Sequence, residues 1–294
     1  MPTTHHRLLA GTYILIGKQP DGDSVRFAAD NPALYADIDN GHRVDVSRQD
    51  GSAQLRLEGI DAPELHYGAA AQPLSVEPRA ALLTALGFTS FTADAHETVT
   101  AAQPKTVRGA ILTKGAEANG RPVSYVLTAA VAAGMADGAW VDVDDALLQR
   151  TVNVQLLQAG QAYLTVYDTT PRAHRRALRR IAEATREHER GVWRADATPQ
   201  FQLRTQDDIG PHGMVILPKL FRRATDYLRD VAQHRFSGNL RDWLLANEHT
   251  ASRSENDTVI VDGRYELRLS DLVLQRNSRV RFQADTLDIV FVSK

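Results

Sequence analysis

From Gln54 to Ile60 the chain alternates: Leu55 and Leu57 stand between Gln54, Arg56 and Glu58, and Gly59 turns into Ile60. A period of two marks a half-buried strand. Pro63 then removes a backbone donor and stops the ladder. Asp61 and Glu64 thus leave the end of a sheet on backbone stiffened by proline. GTYILIG (11–17) and SVRFA (24–28) read as strands flanking the acidic turn Asp21-Gly22-Asp23. Val107–Thr113 and Val123–Ala130 are expected to pair around Asn119-Gly120-Arg121, because Asn-Gly is a strong hairpin signal. Gln161–Tyr167 reads as one more strand.

Helical stretches alternate with these. Pro78–Leu86 has proline in its first turn and Gly87 just past its end. Asp144 or Asp145 is expected to cap a stretch, with a break, that runs to Ala159 and stops at Gly160. Pro171 opens a helix to Arg190 whose apolar stripe is Ala173, Ala177, Leu178, Ile181 and Ala184. Ala93–Pro104 and Ala129–Trp140 read as loops, and His5-His6 as solvated residues on a tail. Beyond a polar break at 195–204, which holds Pro199, the pattern predicts a helix over Pro218–Val231. Its one apolar face carries Leu220, Phe221, Ala224, Tyr227, Leu228 and Val231. A helix over Leu240–Ala246, a hairpin around Asp262-Gly263 and strands near Arg279–Gln283 and Leu287–Val292 complete the chain.

A chain of 294 residues divides into two expected domains, 1–197 and 198–294, since single cores rarely grow beyond ~250 residues. The 43% apolar and 24% charged content is that of a globular protein. With no cysteine there is neither disulfide nor thiolate metal site. No signal-peptide pattern opens the chain, and no apolar run reaches the ~18 residues that span a bilayer. No membrane association and a cytoplasmic location are therefore expected. A net charge of −2 excludes bulk attraction to nucleic acid. The positive charge is local: eight arginines against three glutamates give +5 between Arg172 and Arg194. That run reads either as a solvated helix face or as a phosphate track.

Two carboxylate clusters and two arginines suit a hard cation and a phosphate. The motifs DGDSV with Asp23, RLEGIDAPE with Arg56, Asp61 and Glu64, and NGRPVSYVL with Arg121 resemble the staphylococcal (thermonuclease-type) nuclease family. VNVQLLQAG (152–160) and Arg190-Gly191-Val192-Trp193 continue the resemblance in family order. It implies an α+β fold for residues 1–197: the five-stranded oligonucleotide-binding (OB-fold) barrel with three helices. A small α+β domain without a recognised motif follows. Against that pattern Asn31–Ser52 is an insertion, expected to hold a strand over His42–Ser47.

The resemblance also implies a calcium-dependent endonuclease acting on DNA or RNA. Asp23 and Asp61 are the implied Ca²⁺ ligands, joined by the backbone carbonyl of Ala62. Glu64 would take the proton of the attacking water, and Arg56 and Arg121 would grip the phosphate bidentately. Tyr163 and Tyr167 stand near the positions of nucleotide-stacking tyrosines, with barrel packing as the alternative. Each charged residue also has a structural alternative: Asp23 as a turn stabiliser, Arg56 in an ion pair with Glu58 or Glu64, Arg121 as a loop-tip charge. The rival function is a non-catalytic OB-fold module that binds nucleic acid or protein.

Overall fold

The computed structural model describes residues 4–247, 257–261 and 264–293. It is a mixed α+β fold built on a curled sheet. In chain order the first strands are β1 (His5–Ile14), β2 (Arg26–Ala29), β3 (Ser52–Gln54), β4 (Arg56–Leu57) and β5 (Ile60–Asp61). Helix α1 (Val76–Leu86) follows, capped by Gly87 at φ 108°. Then come the hairpin β6 (Ser90–Ala93) and β7 (Val99–Gln103), β8 (Thr106–Ala116) and β9 (Pro122–Thr128). A one-turn α2 (Ala129–Ala132) leads to β10 (Trp140–Asp142). Helices α3 (Asp145–Leu148) and α4 (Val152–Gln158), capped by the Asp144 and Thr151 side chains, precede β11 (Tyr163–Leu164) and β12 (Val166–Tyr167). Helix α5 (Arg172–Glu187) closes this part.

The main sheet has seven strands in the order β3-β2-β1-β8-β9-β4, with β10 pairing the first residues of β1. The hairpin around Asn119-Gly120 forms as expected, with Thr113 opposite Ser124. Several expectations are corrected. His5 and His6 begin β1, and His6 is fully buried. Ala93–Pro104 contains β7 rather than a loop, and Ala129–Trp140 contains a turn of helix. The insertion carries two short 3-10 helices, Pro32–Asp37 and Gly41–Arg43, where a strand over 42–47 was expected. The buried stripe of α5 is His174, Ala177, Leu178, Ala182 and Thr185. Ala173 and Ala184 face water.

The later residues supply β13 (Gln200–Gln202), α6 (Pro218–Ala232) and α7 (Leu240–Asn247). They continue with β14 (Thr258–Val261), β15 (Arg264–Arg268), β16 (Val273–Arg276), β17 (Arg279–Phe282) and β18 (Ile289–Phe291). The expected turn Asp262-Gly263 lies outside the described residues. Strands β13 and β16, unmarked by any pattern, flank β17 in a three-stranded sheet. Strand β18 pairs in parallel with β12, Val166 opposite Val290. The boundary expected near residue 197 is therefore crossed by sheet hydrogen bonds, and one hydrophobic core runs from Leu8 to Phe291. Among the described residues no helix is long and apolar enough to cross a membrane.

Candidate active site

Backbone pairing assembles the site. Leu57 donates its N–H to the Asp23 carbonyl at 2.9 Å, so the acidic turn and β4 run side by side. Strand β4 pairs in parallel with β9, Arg56 opposite Val123, which puts Arg121 two residues from the Arg56 level. Gly22 permits the closest approach. A Cβ there would lie 2.6 Å from the Ala62 Cβ and 2.5 Å from the Pro78 Cβ, so the two acidic turns sit flush. Gly120, at φ 77°, faces the Arg43 carbonyl, which a Cβ would meet at 2.4 Å. The insertion is thus packed onto the hairpin tip that starts Arg121. Asn153 locks the arrangement from inside. Its amide accepts the Val126 N–H at 2.9 Å and donates to the carbonyls of Glu58 and Ser124 at 2.8 and 3.0 Å.

Asp23 feels the charges of both the acidic and the basic residues. Burial, then the Asp61 carboxylate, pushes its carboxyl up to about 7, against the pull of Arg56; Glu64 and Arg121 also act on it. Burial likewise lifts Glu64 to about 7, opposed by Arg222 and aided by Asp61. Asp21, which sequence reasoning passed over as part of the turn, is lifted to about 7 by burial and by Asp23. Negative charges drawn from water without matching cations favour their neutral forms.

The counter-charge comes from α6. Arg222 donates Nη1 and Nη2 to the two Asp61 oxygens at 3.2 and 3.0 Å, and Nη1 also to Glu64 Oε1. Two further links clasp the acidic loop to the later chain. Tyr67 donates its hydroxyl to Asp226 at 2.9 Å. Gln72 accepts the Glu64 N–H at 3.0 Å and donates to the Ile216 carbonyl at 2.8 Å. The sequence offers no local sign of Arg222, because the contact spans 161 residues and the residue sits on a helix read as having one apolar face. In fact Val215–Tyr227 is buried on all sides, Lys219 and Arg223 turning toward Asp257.

The two phosphate candidates share one acid, Glu117, unremarked in the sequence. Arg121 meets it with two nitrogens, and Arg56 Nη1 lies 4.0 Å from it. Arg56 also donates to the Tyr167 hydroxyl at 3.1 Å and lies over that ring, 5.5 Å from its centroid. Tyr167 therefore adjoins the site and is half-buried. Tyr163 does not offer a stacking face: it is fully buried, edge-on to Trp193, with its hydroxyl given to Asp196.

Asp23, Asp61 and the Ala62 carbonyl would offer a cation oxygen donors alone, the chemistry that a hard cation takes. As the side chains stand, no group of three His, Cys, Asp or Glu among the described residues could hold a metal ion. Arg222 occupies the Asp61 oxygens. In α5, Arg179 meets Glu183 and Asp288, Arg186 meets Asp285, and Arg180 meets Asp145.

A family model described as staphylococcal nuclease homologue matches residues 54–195, which bears out the resemblance carried by RLEGIDAPE over that stretch. The match begins after Asp23, so the upstream acidic turn joins the site through the contacts above. No curated protein matches the chain.

Proposed function

We propose that the region similar to staphylococcal nuclease homologues, together with the upstream Asp23 turn, is a nuclease that hydrolyses phosphodiester bonds in DNA or RNA. The observation that carries this reading is the meeting of two acidic turns with two arginines: Leu57 pairs with Asp23, Gly22 packs against Ala62, and Arg121 and Arg56 share Glu117. Hydrolysis needs a proton acceptor for water and positive groups for the charge that builds on phosphorus. Glu64 is the acceptor in this reading: its carboxylate takes the water's proton. Arg56 and Arg121, already turned toward a shared carboxylate, exchange Glu117 for phosphate oxygens, whose geometry matches the guanidinium fork. Asp23, Asp61 and the Ala62 carbonyl would hold Ca²⁺, which when bound supplies Lewis-acid stabilisation of the phosphate. Tyr167, stacked on Arg56, limits the swing of that side chain. Contacts to phosphate carry no base identity, so DNA and RNA both fit the grip.

One observation favours the second reading, a binding module without chemistry: Arg222 already engages both Asp61 and Glu64. Incubation of the full chain with end-labelled DNA and RNA, with calcium and with a chelator, separates the two. Calcium-dependent cleavage is expected. Retention of nucleic acid without cleavage at any calcium concentration supports the binding module and overturns the nuclease.

A further inference from the structure

Arg222 engages the acidic loop with a geometry that goes beyond a surface ion pair. Its two terminal nitrogens address the two oxygens of Asp61, and one also reaches Glu64. All three groups are largely shielded, with side-chain exposures of 10%, 2% and 14%. We propose that Arg222 is a built-in counter-ion seated where a divalent cation would bind, so that the cation binds only when this guanidinium is displaced. The proposal rests on reading Asp23 and Asp61 as cation ligands.

Three features support it. First, a guanidinium and a hard cation need the same carboxylate lone pairs, and both Asp61 oxygens are taken. Second, the backbone of Arg222 is fixed. Its helix neighbours Leu220, Phe221 and Ala224 are fully buried, and Arg223 holds Asp257 at 2.8 Å on the other side. Helix α6 cannot lift away without exposing that core. Displacement is therefore a swing of one side chain, and the empty-handed state of Asp61 is the minor one. Third, the acidic loop is tied to the same helix by Tyr67–Asp226, so loop and arginine keep their register. An apparent dissociation constant is the intrinsic one divided by the competent fraction. A guanidinium seated nine-tenths of the time thus weakens cation binding about tenfold.

The test is calorimetric titration of the full chain with calcium chloride alone, for wild type, Asp61→Asn, Arg222→Gln, Arg222→Lys, and Arg222→Gln combined with Asp61→Asn. The proposal expects Arg222→Gln to bind calcium about tenfold or more tightly than wild type, Arg222→Lys to fall between, and the double variant to lose the gain. Should Arg222→Gln fail to fold, the lysine variant carries the test, because it keeps the charge and loses the two-pronged contact. Equal or weaker binding in the arginine variants, with binding still abolished by Asp61→Asn, overturns the counter-ion and leaves the cation site standing. Calcium binding that ignores Asp61→Asn overturns the site reading and the proposal with it.

Discussion

Arg121 and Glu117 meet fork to fork: Nη2 donates to one carboxylate oxygen at 2.9 Å and Nε to the other. Arg56 approaches the same acid, so both guanidinium groups are aimed before any phosphate arrives. Lysine keeps the charge and loses the fork. Arg56→Lys and Arg121→Lys are expected to lower turnover, for at least one of them by about 10²–10³, the loss seen when one transition-state donor is removed. The accompanying change in KM should be smaller. Steady-state kinetics checks this, and unchanged turnover in both variants would assign the arginines to structure.

In the proposed reaction Glu64 is the base. Glu64→Gln keeps size and hydrogen bonding and cannot accept a proton. Cleavage is expected to fall by about 10²–10⁴ at every calcium concentration. A rate that recovers as calcium rises would make Glu64 a ligand instead.

The buried histidines predict how stability follows pH. Neutral His174 is satisfied at both nitrogens: Nε2 donates to the Val143 carbonyl at 2.7 Å and Nδ1 accepts from the Tyr125 hydroxyl at 3.0 Å. His6 stacks on it, 5.7 Å between centroids, and burial drives its pKa down from 6.5 to about 3. The unfolded chain binds the proton first, so this stability is full above pH 6.5 and is lost as pH falls toward 3. Asp21 and Asp23 act oppositely. Their carboxyls, raised to about 7, protonate first in the folded state and add stability as pH falls from 7 toward 3.8. The net slope is a difference of the two, so a variant isolates the histidine part. His6→Gln should lose less melting temperature between pH 6.5 and 4.5 than wild type does. Parallel profiles would count against the histidine.

Asn153 is a stability test of the site's frame. Asn153→Ala strands the Val126 N–H and the Glu58 carbonyl away from water, while the Ser124 carbonyl keeps the Glu58 N–H; each buried unpaired group costs about 1–3 kcal/mol. A loss of about 3 kcal/mol or more in urea unfolding is expected. A change under about 0.5 kcal/mol, the size of an ordinary surface substitution, would mean that the strand pairs hold without it.

What the sequence made legible was local. The Asn119-Gly120 turn and the caps at Asp144 and Gly160 each depend on residues a few positions apart, and each formed; the strand around Arg56 formed as short pieces buried on both faces, not as the half-buried strand that its alternation predicts. The site's acids and Arg121 were readable because they sit beside a proline or a glycine at which the chain turns, and Arg56 because it opens the strand that leads into such a turn. The partners of those residues were not readable. Glu117 carries no pattern, and His6 lies in a His-His pair that local polarity assigns to solvent. Arg222 is polar on a helix whose apolar face explains its fold without it. The carboxylates 158 and 161 residues upstream give its buried charge a partner.

That separation has a consequence for the protein as it is made. Ribosomes add about 5–20 residues per second, so the 158 residues between Glu64 and Arg222 take about 8–30 s to synthesise. For that interval the carboxylates of Asp61 and Glu64 lack the guanidinium of Arg222. They are then most open to ions of the surrounding medium, and the arrival of α6 ends that exposure.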